Sequence, residues 1–396
     1  MPRMSDAQKP GKTLQSLDLA RGAMALLVLI SHVSILSGCR ADFPLLFGLG
    51  MTAVDVFMFV SGFLMYWHYE EREAREPWDQ AGTWRTFWTR RLFRIAPLYW
   101  LALTAVYLMH GALEGHAETI HATFYGAAGP DRVDRELGLG NVVAHYSFAF
   151  GLIPAWASNN ALPDWSIGLE MQFYAAFPFV ALAIRRFGWV VVGISCLAIW
   201  QWSVAQISVG IGRPPGNWGW FPMATFLPLR IGIFFAGIVA AAGLRRMGRG
   251  FLISAVVACG FAAFQSTALT IFVVSFVAWE YLLRSGRPQV LRRLRVPAIV
   301  ALLESRPVKL AADCSYGIYL LHFPILLIAA AALLDSGWTS MPPVHRAAIL
   351  GAICLPVTLL CAWAAHRWVE VPAIAFGKAF ALRRGISGRT AHAELP

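Results

Sequence analysis

Residues 18–37 read DLARGAMALLVLISHVSILS, and this stretch decides the fold class. A helix crossing a bilayer needs roughly 20 predominantly apolar residues. The stretch meets that length with Asp18, Arg21 and His32 as its ionisable side chains. Arg21 and His32 are eleven residues apart. At about 100° per residue they share one helix face, about 16 Å apart along the axis. Nine further stretches read as spans: 52–69, 91–110, 164–184, 187–207, 220–242, 250–265, 268–283, 310–334 and 346–368. Of the 396 residues, 58% are hydrophobic and 14% charged, against about 45–50% and about 25% in a soluble domain. An ordinary soluble enzyme, a disordered chain and a disulfide-dense secreted domain are thereby excluded. The expectation is an all-α, polytopic integral membrane protein of about ten transmembrane helices.

The formal net charge of +11 would suggest nucleic acid on a soluble protein. Here its distribution follows the spans. With the N-terminus inside, and basic residues at the ends of the third and last spans counted with the adjoining segments, 26 Lys and Arg fall on the cytoplasmic side and five on the outer one, while Arg21 and Arg230 are counted within spans. Basic residues collect in cytoplasmic loops, so both termini are expected in the cytoplasm, with no nucleic-acid partner and a lipid bilayer as the surroundings. Residues 1–17 then form an N-terminal tail, 18–378 the membrane domain and 379–396 a C-terminal tail. Residues 141–157 are apolar but short, and a crossing there would move every later basic loop outside. They are expected to form an interfacial or re-entrant segment. Lys9 and Lys12 precede an apolar run ending at Leu36, Ser37, Gly38 and Cys39, which looks like a lipoprotein cleavage site. His32 inside the run and Arg21 at its entrance argue instead for a retained helix. The six cysteines form no CxxC pair and no His–Cys cluster has zinc spacing, so no disulfide framework and no metal are expected.

Charged groups in hydrocarbon are costly and normally face a partner or a cavity. Arg21 reads as a snorkelling anchor or as part of a site, and His32 as a structural histidine or a base. Asp55, Glu170 and His32 fall at similar depth in the outer part of the bilayer. A histidine beside a carboxylate is the basic part for taking a hydroxyl proton, and either Asp55 or Glu170 suits that position. Asp164 reads as an N-cap. Ser166, Glu170 and Tyr174 repeat at i, i+4, i+8 and share a face. Ser315, Tyr319 and His322 form a second polar face, as support for a substrate or as helix–helix contacts. Arg230, after Pro228, falls mid-span and is expected to pair with a carboxylate or a ligand anion. Arg90, Arg91 and Arg94 open the third span on the cytoplasmic side. Their forked guanidiniums suit phosphate oxygens or anionic lipid.

Six stretches resemble the motifs of the acyltransferase-3 family of integral membrane acyltransferases, in order and over about 14–378. They are LDLARGAMALLVLISHV with Arg21 and His32; VDVFMFVSGFL with Asp55, Ser61 and Gly62; RRLFRIAPLYW with Arg91, Arg94, Pro97 and Tyr99; DWSIGLEMQFY with Trp165, Ser166, Glu170, Phe173 and Tyr174; CSYGIYLLHFPI with Ser315, Tyr316, Tyr319, His322 and Pro324; and RWVEVPA with Glu370 and Pro372. Ala53 and Met58 depart from the family's usual Gly and Phe. The chain resembles the stand-alone type without a C-terminal hydrolase-like domain. The resemblance implies transfer of an acyl group, usually acetyl, from cytoplasmic acyl-CoA, commonly acetyl-CoA, to a hydroxyl of a glycan or lipid-linked sugar. A bacterial inner membrane is the implied location. Within that scheme His32 is the base or a transient acyl carrier, Asp55 or Glu170 orients it, and Arg21, Arg230 or Tyr319 stabilises the oxyanion. Arg90, Arg91, Arg94 and Arg230 are the candidates for holding the donor. The rival readings are a transporter or flippase for a polar solute, a non-catalytic scaffold, and an O-acyltransferase acting on an antibiotic or lipo-oligosaccharide sugar.

Overall fold

A computed structural model describes residues 15–73, 76–126, 137–157, 159–210, 214–247, 249–284 and 296–383. The remainder of the expected tails, 1–14 and 384–396, lies outside them. The chain folds into helices α1 (Gln15–Leu36), α2 (Pro44–Arg72), α3 (Ala81–Leu108), α4 (His110–Tyr125), α5 (Leu139–Tyr146), α6 (Trp165–Gln206), α7 (Ile231–Arg246), α8 (Arg249–Ala263), α9 (Thr267–Arg284), α10 (Val296–Leu303), α11 (Arg306–Asp313), α12 (Ser315–Leu333), α13 (Pro343–Ala365) and α14 (Val371–Arg383). Among the described residues the β-structure is a two-residue parallel pair, β1 (Ser208–Val209) with β2 (Trp220–Phe221), and one isolated bridge, Gly216 to Gly219. Among the described residues six helices are long and apolar enough to cross a membrane, or seven if α3 and α4, bent by 76°, count as one span. The protein is an all-α, multi-pass membrane protein.

The expected spans meet helices, with informative shifts. The 42 residues of α6 would extend about 63 Å if straight, twice a hydrocarbon thickness of about 30 Å. Gly188, at φ 83° and ψ 169°, breaks the helix, a conformation that a side chain disfavours. The break falls just after residue 187, where the second of two expected spans begins. The expected span 220–242 is a correction. Its helix starts only at Ile231, and Arg230 is the N-cap of α7, not a mid-span residue. Pro222 and Pro228 have no N–H to give an α-helix. Gln172 of α6 holds the irregular backbone instead, donating to Thr225 O (2.8 Å) and accepting from Leu227 N (3.0 Å). A second correction concerns α3. It begins ten residues before the expected span, so Arg90, Arg91 and Arg94 lie in the helix interior. Hydropathy marks where the apolar run starts, but Trp84, Arg85 and Thr86 are equally able to be helical. Trp84 Nε1 donates to Trp78 O (2.7 Å) and Trp88 Nε1 to Tyr174 O (3.0 Å), which pins this polar first part of α3. Residues 141–157 do not cross. They form the eight-residue α5, about 12 Å long, and two short 3-10 turns.

α1 is central, packing on α2, α10, α11, α12 and α13, and α2 packs in turn on α7. The α2–α7 contact is backbone on backbone. A Cβ on Gly62 would stand 2.1 Å from Phe234 O, and one on Gly237 2.1 Å from Phe59 O. Small residues at helix crossings permit this approach. Gly62→Ala is expected to destabilise the fold by about 1–3 kcal/mol through overpacking. Gly48, also on α2, has nothing within 4 Å of an added Cβ, so Gly48→Ala should leave stability unchanged or raised. Thermal unfolding of both variants in detergent checks the contrast.

Candidate active site

His32 leaves α1 half-buried and meets α12. Its Nδ1 lies 3.0 Å from Val28 O and 3.1 Å from Nε2 of His322. His322 is fully buried, and its own Nδ1 lies 3.0 Å from Ile318 O. A carbonyl only accepts, so each Nδ1 carries its proton, an assignment made from the hydrogen-bond network. The His32 Nδ1–H is then shared between Val28 O and the lone pair on His322 Nε2. This leaves His32 Nε2 with a free lone pair. The Phe323 ring meets His32 edge-on with centroids 5.1 Å apart, which further limits the imidazole.

The orienting partner of His32 is therefore a neutral histidine and a carbonyl, which corrects the expected carboxylate. Both carboxylates are committed elsewhere. Asp55 Oδ1 lies 3.3 Å from Arg230 Nη1, an ion pair whose angles are not those of a hydrogen bond. Arg230 Nη1 also reaches Gln265 Oε1 at 3.3 Å. This pair joins α2 to the start of α7, beside the Gly62–Gly237 crossing. It leaves Arg230 without a free charge for a donor substrate. Glu170 accepts from Ser61 Oγ (2.8 Å) and from the Tyr174 hydroxyl.

The two polar faces do meet. Ser166 Oγ donates to the Tyr319 hydroxyl at 2.8 Å, linking α6 to α12. Arg21 Nη2 reaches Ser315 Oγ at 3.3 Å, linking α1 to α12 one helix turn before Tyr319. Arg94, Asp18, Glu170 and Asp313 are the charges that act on Arg21. The Arg91 guanidinium lies 5.5 Å from the Tyr174 ring and 5.7 Å from the Phe87 ring, a cation–π arrangement. Arg90 differs from its neighbours: it is paired with Glu76 at 2.9 Å. Among the described residues Arg91 and Arg94 have no ion-pair partner. Their guanidiniums are thus not held in an ion pair of the kind that Arg90 makes.

Two features went unused in the expected site. Glu370 sits 5% exposed at the end of a π-helical turn, His366–Glu370, with Oε1 unpartnered and Oε2 3.5 Å from His366 Nδ1. Arg94 and Arg21 both act on it. The motif RWVEVPA was its sequence signal. Such π-turns are frequent at functional sites. Asp164 occupies the N-cap position of α6 but does not cap it. Its carboxylate accepts from the Tyr99 hydroxyl (2.8 Å) and Asn160 Nδ2 (2.9 Å), with His145 Nε2 at 3.8 Å. These contacts tie the 139–164 segment to α3 and α6. Among the described residues no group of His, Cys, Asp and Glu is arranged to hold a metal ion.

The sequence matches the family model described as an acyltransferase domain over residues 14–365. The chain belongs to the acyltransferase-3 family. It is also similar to a protein named acyltransferase MdmB from Streptomyces mycarofaciens, 25% identical over 347 residues, covering 82% of this chain and 81% of the relative. No solved structure matches it. Membership in the acyltransferase-3 family makes this protein a membrane acyltransferase. The His32–His322 pair, the Arg21–Ser315 contact and the two unpaired arginines all fall inside the matched region.

Proposed function

We propose that the protein is an O-acyltransferase that takes an acyl group, acetyl by preference, from cytoplasmic acyl-CoA. The acceptor is a hydroxyl of a glycan or lipid-linked sugar reaching the opposite face of a bacterial inner membrane. Counting the two halves of α6 separately, together with α1, α2, α3, α7, α8, α9, α12 and α13, gives ten spans and both termini in the cytoplasm. The distribution of basic residues supports that orientation. The observation that carries the reading is the free Nε2 of His32, held by a fixed Nδ1.

Coenzyme A is a polyanion that does not cross hydrocarbon. Arg91 and Arg94 hold its phosphates, and the acyl arm follows the α1 face past Arg21 toward His32. The acceptor hydroxyl gives its proton to His32 Nε2 while its oxygen attacks the thioester carbonyl carbon. Val28 O and His322 Nε2 stabilise the imidazolium that forms. Arg21 or the Tyr319 hydroxyl faces the oxyanion. The C–S bond then breaks, and the thiolate leaves with the proton from His32. His322 is thus a positioning residue, and Ser166 and Ser315 hold Tyr319 and Arg21 respectively.

Purified protein in detergent with acetyl-CoA and a panel of sugar acceptors should release free thiol in proportion to acceptor. Arg91→Ala or Arg94→Ala is expected to raise the KM for acetyl-CoA about 10- to 100-fold, the loss of one charge-assisted contact. Arg90→Ala, removing a partly buried guanidinium already paired with Glu76, should change KM less than about twofold, because its charge is not open to the donor. Equal effects at the three positions would remove the proposed donor site. Movement of a solute without thiol release would favour a transporter.

A further inference from the structure

A second polar feature lies away from His32, where the ends of α2 and α7 meet α6 just before its break. A cavity of about 650 Å³ opens there. Two of its lining groups carry buried atoms without hydrogen-bond partners: Glu73 Oε2, an acceptor, and Arg245 Nε, a donor. Each group has one other atom engaged. The other Glu73 oxygen accepts from Arg185 Nη1. Arg245 Nη2 donates to Trp67 O at 2.7 Å, with the guanidinium 4.1 Å over the Trp67 ring. Glu70 stands between, but at 3.9 Å from Arg245 Nε and 4.0 Å from Arg246 Nη2 it is too far to hydrogen-bond either. Glu70 instead accepts from the Tyr66 hydroxyl at 2.7 Å. The Tyr66 ring packs against Tyr69 (5.4 Å) and Trp189 (5.3 Å), so an aromatic wall flanks the carboxylates.

One side of this cavity lacks a donor for a carboxylate, and the other lacks an acceptor for a guanidinium. A single ligand that repairs both carries an N–H cation and an anion a short linker apart. The aromatic wall suits the cation, and the forked guanidiniums of Arg245 and Arg246 suit a phosphate. The cavity opens at the ends of spans, the depth at which lipid headgroups lie. We propose that it binds the phosphoethanolamine headgroup of a bilayer lipid, the primary ammonium on Glu73 and the phosphate on Arg245. A choline headgroup has no N–H to give Glu73. A glycerol headgroup shares the phosphate but offers Glu73 only a neutral hydroxyl, without the ammonium charge that strengthens a hydrogen bond to a carboxylate. The proposal is independent of the acyl-transfer chemistry.

The test is native mass spectrometry of the full-length, delipidated protein titrated with phosphatidylethanolamine, phosphatidylcholine and phosphatidylglycerol of identical acyl chains. Phosphatidylethanolamine should bind about tenfold or more tightly than either, the worth of one hydrogen bond to a charged group. Glu73→Gln should reduce that preference to less than about threefold without changing phosphatidylcholine binding. Equal retention of the three lipids, or an unchanged preference in monodisperse Glu73→Gln protein, overturns the proposal. Should that variant not purify as a monodisperse species, the ranking on the wild-type chain decides alone. Glycerophosphoethanolamine, the same headgroup without acyl chains, should bind at least about tenfold more weakly. Binding as tight as the lipid's would make the occupant a soluble metabolite and overturn the lipid assignment.

Discussion

His32→Ala is expected to reduce acyl transfer by about 10²- to 10⁴-fold, the range for removing a positioned general base. The protein should still purify as the same monodisperse species. His32 is half-buried on the α1–α12 contact, and its removal leaves His322 with Ile318 O as a hydrogen-bond partner. His322→Ala should cost less, about tenfold, because it removes one of two acceptors for the His32 Nδ1–H and leaves Val28 O in place. His322→Gln should recover part of that loss, since its side-chain carbonyl accepts the same hydrogen bond. Turnover with acetyl-CoA and acceptor, measured beside thermal unfolding, separates these outcomes. Full activity in His32→Ala would exclude the free Nε2 as the base. A His322→Ala variant as inactive as His32→Ala would show that both imidazoles act on the reacting atoms.

Asp55→Ala should fail differently. It strands Arg230 as an uncompensated cation between α2 and α7, and breaking a buried pair from one side costs about 3–5 kcal/mol. Low yield and aggregation are expected, and Arg230→Met should do the same by stranding Asp55. The double variant Asp55→Leu with Arg230→Met removes both charges and replaces them with apolar volume. Replacing both partners of such a pair is often neutral or stabilising. The double variant should therefore regain yield and thermal stability, and acyl transfer with them, because the pair holds two helices in register. A double variant that is stable and inactive would return Asp55 to the chemistry, where sequence reasoning had first placed it.

That misplacement shows where sequence reasoning stops. Helical period put Arg21 with His32, Ser166 with Glu170 and Tyr174, and Ser315 with Tyr319 and His322, and the contacts of each set lie on one side of its helix. Within one helix, rise and turn per residue determine position. Between helices nothing comparable operates. Asp55, Glu170 and His32 fall at similar depth along their own spans, but depth does not set the rotation of each helix about its axis. The rotation that seats Gly62 against Phe234 O points Asp55 at Arg230. Likewise the α1–α12 packing brings His322 to His32. Arg230 was further obscured by an apolar run, 220–229, that hydropathy reads as membrane but that forms a short strand and a 3-10 turn at Leu227–Leu229, not an α-helix.

Membrane residence, the all-α class, the acyltransferase-3 motifs and the faces within single helices follow from the order of residues alone. They depend on apolar length, charge and the 3.6-residue turn, which are properties of a segment by itself. Partner choice depended on tertiary structure: His322 for His32, Arg230 for Asp55, Glu76 for Arg90, and, among the described residues, no ion-pair partner for Arg91 and Arg94. A buried charge or imidazole takes whichever group the packing sets within about 3 Å, and that is determined by how helix surfaces interlock.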